Sequence, residues 1–280
     1  MCRVQKYIRL FGGDPENVTI FGESAGGGSI MHHLTANGGK GNVPFKRAIG
    51  QSPGYTLSIQ DKEILHRLFA TASEIPGKPV ATVEELNNLD TDELIAANAM
   101  TIFPSCHGTY RFGPESGGSY TPKLPGQLLL EGRYHQDVDV MVAHNAHEAG
   151  GVFPKVNSED DVRKVIIDNL ASISAKGVDS VLQLYPAPPY GQLYTTQETR
   201  AETIFSEILF QCNSRYVGKA YYNCWNYRFQ AEQGHHGQDI KWTVLDGHTS
   251  NVTAPQLAEL MQDYFLQFAT TSNPNDQASG

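Results

Sequence analysis

The segment VTIFGESAGGG, residues 18–28, constrains this chain more than any other stretch. An apolar run, Val18 to Phe21, leads into Gly22-Glu23-Ser24-Ala25-Gly26 and then into more small residues. That order reads as strand, sharp turn, helix. Small residues around Ser24 permit a turn tight enough to lift its hydroxyl above a sheet, which is what a serine nucleophile requires. The plainer alternative is a glycine-rich helix N-terminus with Ser24 as its cap. The strand before, the helix after and the three further small residues favour the turn. The absence of a lysine after the glycines argues against a phosphate-cradling loop.

Short apolar strands alternate with helices along the rest of the chain. Strands are predicted at 18–21, 46–51, 137–145 and 225–229. Helices are predicted at 1–11, 24–34, 60–74, 83–99, 159–171, 198–220 and 253–270. Strands of this kind, separated by helices, form a mostly parallel sheet covered on both faces, so the fold class is α/β. One domain, 1–280, is expected, with a helical cap excursion over roughly 155–220 that contains the proline-rich loop YPAPPYG.

Composition removes several functions. A net charge of -9 without a Lys/Arg block argues against nucleic acid as a partner. No apolar run reaches the 18 residues of a membrane-spanning helix. The opening MCRVQKYIRLFGGDP lacks the apolar core and cleavage site of a signal peptide, so the compartment stays open. The four cysteines include no C-x-x-C, which argues against a zinc or thioredoxin-type site. Cys212 and Cys224 are either a local disulfide in a secreted chain or free buried thiols. Asn17 and Asn251 begin glycosylation sequons. Asn17 leads into a buried strand, so Asn251 is the better candidate.

A serine hydroxyl needs a base to take its proton and an acid to orient that base. On an α/β sheet with this turn the chain order is serine, acid, histidine. Glu148 stands just past the strand 137–145, where the acid belongs; its alternative is an ordinary solvated loop glutamate. Of the ten histidines, His32 and His33 lie on the helix after Ser24 and His66 on an amphipathic helix. His107, His135 and His248 fall in loop-like stretches. His144 and His147 precede Glu148 and break the order; as metal ligands they lack a further carboxylate cluster. GHHGQDI, residues 234–240, leaves His236 as the base, with His235 as the alternate.

GGDPENVTIFGESAGGGSI resembles the nucleophile-elbow signature of the type-B carboxylesterase/lipase family, which includes the cholinesterases. The resemblance continues through AIGQSPG, LPGQLLLEGRYHQDVDVMVAHNAHEAGGVF, HHGQDIKWTV and FLQFATTSNPND, covers nearly the whole chain and is similar to secreted fungal esterases. It implies an α/β-hydrolase fold, with Ser24 as nucleophile, Glu148 as acid and His236 as general base. The backbone N–H of Ala25 would be one oxyanion donor, and Glu23 would favour positive charge on His236. Substrates would be small-molecule or lipid esters, with no cofactor and no metal.

The family places several strands and a glycine-rich oxyanion loop before the nucleophile, whereas 23 residues precede Ser24 here. The expectation is therefore a partial fold, truncated at both ends with its first strands missing, and poorly active or poorly soluble alone. A non-catalytic adhesion or binding module on the same fold and an inactive fragment are the competing readings. The presence of all three residues favours the hydrolase. Phe103, Tyr110 and Phe112 would line an acyl pocket or, more simply, pack in the core.

Overall fold

The computed structural model describes residues 1–55, 62–105, 112–153, 155–170, 172–189, 193–244 and 252–276. Four strands form its sheet: β1 (Thr19–Glu23), β2 (Arg47–Gln51), β3 (Asp139–Asn145) and β4 (Cys224–Phe229). Their order is β1-β2-β3-β4 and every neighbouring pair is parallel. The first helices are α1 (Cys2–Tyr7), α2 (Ala25–Leu34), α3 (Lys62–Glu74), α4 (Val83–Asn87), α5 (Thr91–Ile102) and α6 (Pro125–Leu130). After β3 come α7 (Glu159–Asn169), α8 (Ala175–Leu184), α9 (Gln197–Ser206) and α10 (Cys212–Ala220). The chain closes with α11 (Ile240–Thr243) and α12 (Pro255–Thr271). Among the described residues no helix is long and apolar enough to cross a membrane.

Register explains how both faces of the sheet are covered. Ile20, Ala48, Val140 and Cys224 lie side by side across the strands, and Phe21, Ile49, Met141 and Trp225 form the next row. Successive residues point to opposite faces. The first row, with Val142, meets Ile30, Met31 and Leu34 of α2, Leu129 of α6 and Val217 of α10. On the second, Ile49 and Met141 pack on Phe268 of α12. Phe268 is fully buried, and burying such a ring stabilises by about 2–3 kcal/mol. β1 is at one end of the strand order, and Phe21 on it is 65% exposed.

Buried Arg47, at the start of β2, ties α12 to the sheet. Its guanidinium donates to Ser272 Oγ and to the carbonyls of Ala269 and Thr270, which end α12 without helical partners. It also donates to Asn17 Oδ1, which engages the first sequon in a structural bond. Helices α7, α8 and α9 form their own apolar cluster around Val162, Ile166, Val178, Leu182, Ile204 and Phe205. Ala149 and Phe153 join that cluster from the loop after β3.

Several elements differ from expectation. Only Cys2–Tyr7 of the predicted 1–11 helix is α-helical; Ile8–Phe11 tightens to a 3₁₀ turn. Its apolar spacing finds no core among the described residues, and Leu10 and Phe11 stay exposed. The 83–99 helix is two helices, because Thr82 with Glu85 and Asp90 with Glu93 each form a capping box that starts a new one. The 198–220 helix is interrupted by a π-helical turn, Glu207–Gln211. Helices α6 and α8 had no sequence-based counterpart.

His32 on α2 is buried, stands edge-on to Tyr55 at 5.3 Å, and has no hydrogen-bond partner for either ring nitrogen among the described residues. Burial pushes its pKa down to about 4, with the neighbouring His33 charge adding to the effect. Unfolded, the ring titrates near about 6.5, so between these values the unfolded chain binds the extra proton. Stability is therefore expected to fall by roughly 3 kcal/mol as pH drops from about 6.5 to about 4, and to lose no more from this group below that. Denaturant midpoints of wild type and His32→Phe across that range check it: the variant should lose this part of the slope.

Candidate active site

Ser24 sits between the end of β1 and the first residue of α2, with φ 56° and ψ -118°. A non-glycine residue in this region stores about 1–3 kcal/mol of strain and persists only when its surroundings enforce it. Here its N–H donates to Gln51 O at 3.0 Å, and its carbonyl accepts from Gly28 N at 2.9 Å and Gly54 N at 3.0 Å. The glycines allow the approach: a Cβ on Gly22 would stand 2.8 Å from the Gly26 carbonyl carbon, and one on Gly28 2.1 Å from Gly54 O. Ser24 holds the N-cap position of α2 but makes no side-chain capping bond. Its Oγ lies instead 2.7 Å from His236 Nε2.

The other His236 nitrogen, Nδ1, lies 2.7 Å from Glu148 Oε2. Glu148 is 1% exposed, and its second oxygen accepts from the Asn145 N–H at 2.6 Å, fixing it to the last residue of β3. It is not a solvated loop residue. Glu23 Oε1 stands 3.3 Å from His236 Nε2 and has no hydrogen bond among the described residues. Burial raises the Glu23 pKa, as do Asp239 and Glu148, while His236 opposes them. For His236, burial disfavours the cation, yet the bond and charge of Glu148, with Glu23 and Asp239, outweigh it and raise the pKa above the ordinary histidine value. The arrangement suits an imidazole that takes up a proton at Nε2, beside a serine hydroxyl.

Sequence reasoning missed the layer beneath. Fully buried Asp239 accepts from Gln51 Nε2 at 2.9 Å, from Tyr227 OH at 3.0 Å and from Asn145 Nδ2 at 3.3 Å. Asn145 Nδ2 also donates to His235 O at 2.7 Å. Gln51 and Asn145 each end a strand and Tyr227 is on β4, so three strands converge on the turn that follows His236. Burial, then the nearby Asp239, drives the Tyr227 pKa well up. A polar residue closing an apolar strand, at Gln51 and at Asn145, was the available signal.

The remaining sequence candidates separate. His235 packs its ring against Gly150, where a Cβ would fall 2.5 Å from its Nε2, and it is His236, not His235, that meets Ser24 Oγ. His33 meets Tyr120 OH, His135 meets Ala36 O and His144 meets Asn145 O. The Cys212–Cys224 disulfide is not formed; both thiols are free. Cys212 opens the nine-residue α10 and Cys224 begins the strand beyond its far end. The helix alone separates them by about 12 Å, more than a disulfide spans. Phe103, at 90% exposure, and Phe112, at 41%, are not core residues. Tyr110, His107, His248 and Asn251 lie outside the described residues. No group of three or more His, Cys, Asp or Glu among the described residues is arranged to hold a metal.

A parallel sheet bearing serine on a strained turn, histidine and buried glutamate defines a class, and the comparisons define a family. The model of the carboxylesterase family matches residues 3–280, and the chain belongs to that family. It is 30% identical to carboxylesterase patB of Aspergillus clavatus, over 98% of this chain and 50% of that protein. Carboxylesterase patB of Penicillium expansum is 32% identical, over 97% and 49%. A secreted lipase of Arthroderma benhamiae is 27% identical, over 97% and 52%. The chain thus spans about half the length of these relatives. Among solved structures, Aspergillus niger EstA superposes with a TM-score of 0.78 at 21% identity, over 99% of this chain and 59% of that one. A PNB esterase gives 0.73 at 23%, over 99% and 58%. These likenesses show the α/β-hydrolase fold.

Proposed function

We propose that this chain hydrolyses carboxylic esters by acyl transfer through Ser24, His236 and Glu148. His236 Nε2 takes the Ser24 proton as Oγ attacks the ester carbonyl, and then delivers it to the leaving alcohol. Water repeats the sequence on the acyl-enzyme and frees the acid. Glu148 fixes the Nδ1–H tautomer and stabilises the imidazolium. Glu23, beside Nε2, favours the same charge. The Ala25 N–H, first in α2 and without a helical acceptor, is the oxyanion donor this chain offers from the turn. Helices α7–α9, which share their own apolar cluster, serve as the cap over the site, and the excursion ends before α10, which packs on the sheet. The relatives' names, carboxylesterase and secreted lipase, point to small-molecule or lipid esters.

The observation that carries this reading is the continuous chain Ser24 Oγ, His236, Glu148, both links at 2.7 Å. An adhesion module would not need a strained serine aligned with a buried acid–base pair. A fluorophosphonate ester tests it. Wild type should be labelled one-to-one and Ser24→Ala not at all; a folded wild type that stays unlabelled would overturn the reading.

A further inference from the structure

We propose that Phe210 is a positioning residue: its ring holds the His236 imidazole in line between Ser24 and Glu148, and the π-helical turn aims it there. The proposal rests on the roles given above to Ser24 and His236. Residues Glu207–Gln211 form that turn, with the Cys212 N–H reaching back five residues to Glu207 O. Such turns occur mostly as single-turn bulges inside α-helices and are frequent at functional sites.

The redirection is visible in the neighbours. Phe205, Ile208 and Leu209 face the cluster of α7–α9, and Val217 faces the sheet. Phe210 is only 7% exposed yet belongs to neither cluster. Its ring lies over the imidazole, centroids 4.3 Å apart and planes 37° from parallel. The same ring abuts Gly54, where a Cβ would fall 2.5 Å from Cε1. Gly54 in turn donates its N–H to the Ser24 carbonyl. One phenyl group therefore spans from the nucleophile's turn to the base.

Polar side chains around the turn fix it to β3 and to the loops of the site. The Ser206 hydroxyl accepts from Ala149 N at 2.9 Å, and Gln211 Nε2 donates to Ala146 O at 3.3 Å. Asn213 Nδ2 donates to Pro53 O at 2.9 Å, and Ser214 Oγ to Ala143 O at 2.8 Å. Two hydrogen bonds hold the imidazole by its edges; a flat apolar wall on one face stops it from swinging and keeps water from competing for Nε2. Glu148, Glu23 and Asp239 supply the charge that faces His236, from the loop after β3, from β1 and from its own turn. The π turn supplies the ring, and aromatic contact favours the aligned rotamer.

Phe210→Leu, Phe210→Tyr and Gly54→Ala test this, with melting curves confirming that each variant folds. The limiting rate of Ser24 phosphonylation should fall about tenfold in Phe210→Leu, with the reagent's apparent binding constant unchanged. Phe210→Tyr should retain the rate, and Gly54→Ala, which displaces the ring, should lose it. A full rate in Phe210→Leu, or equal losses in the Leu and Tyr variants, overturns the proposal. The low-field NMR proton between His236 and Glu148 needs no reaction. It should be lost to solvent exchange in Phe210→Leu and persist in Phe210→Tyr. Its persistence in Phe210→Leu overturns the proposal even if wild type is never labelled, an outcome that counts against the Ser24 reading alone.

Discussion

His236→Ala is expected to slow phosphonylation of Ser24 by on the order of 10⁴–10⁶-fold while leaving the melting temperature close to wild type. The hydroxyl would lose the base that stands 2.7 Å from it, and a serine alcohol is a weak nucleophile at neutral pH. Glu23 is no substitute: its carboxylate faces His236 Nε2 at 3.3 Å rather than bonding the hydroxyl. Because His236 is part-exposed, its removal creates no closed cavity. His235→Ala, assayed in parallel, should stay near the wild-type rate, since that ring packs on Gly150. Stopped-flow loss of ester-hydrolysing or probe-binding capacity, with melting curves alongside, separates the two histidines. The reverse pattern would make His235 the base.

Glu148→Gln should cost about 10⁴-fold by a different route. The amide conserves volume, and its oxygen can still accept from the Asn145 N–H. That leaves the amide NH₂ facing Nδ1, which must then accept, so the ring proton moves to Nε2 and blocks the transfer from Ser24. The pH profile should change as well. In wild type the rate rises as His236 loses its proton, at a pH above the ordinary histidine value because Glu148, with Glu23 and Asp239, outweighs burial. Removing the carboxylate takes away the two largest raising influences, so the acid limb of the residual rate should move to lower pH. A limb that stays in place, measured as rate against pH for both proteins, would assign the raised pKa to Glu23 and Asp239 instead.

The turn at Ser24 was legible because its requirements are local: an apolar strand, small residues at contact distance and a helix start all fall within eleven residues. Glu148 and His236 were legible at one remove, from their places after predicted strands and from the family resemblance. The Asp239 layer was not. It forms only when the ends of β2 and β3 and the side chain of Tyr227 meet a turn beyond β4, and no spacing in the chain encodes that meeting. Phe210 was hidden for a related reason, since a continuous helix over 198–220 gives no hint of a π turn that re-aims one residue. For the cysteine pair the sequence left both a disulfide and free thiols open, and the helix between the two decides for free thiols. At the N-terminus, amphipathic spacing described a helix whose apolar side meets no core among the described residues.

The central claim is that Ser24 Oγ is the atom that attacks the acyl or phosphonyl centre. Peptide mapping by mass spectrometry after fluorophosphonate treatment of the folded chain tests it most directly. The adduct should lie on the peptide containing Gly22-Glu23-Ser24-Ala25-Gly26, with fragment ions placing it on Ser24, and in His236→Ala it should form on the order of 10⁴–10⁶-fold more slowly. An adduct on any other residue, or none in protein with a wild-type melting curve, would contradict the claim.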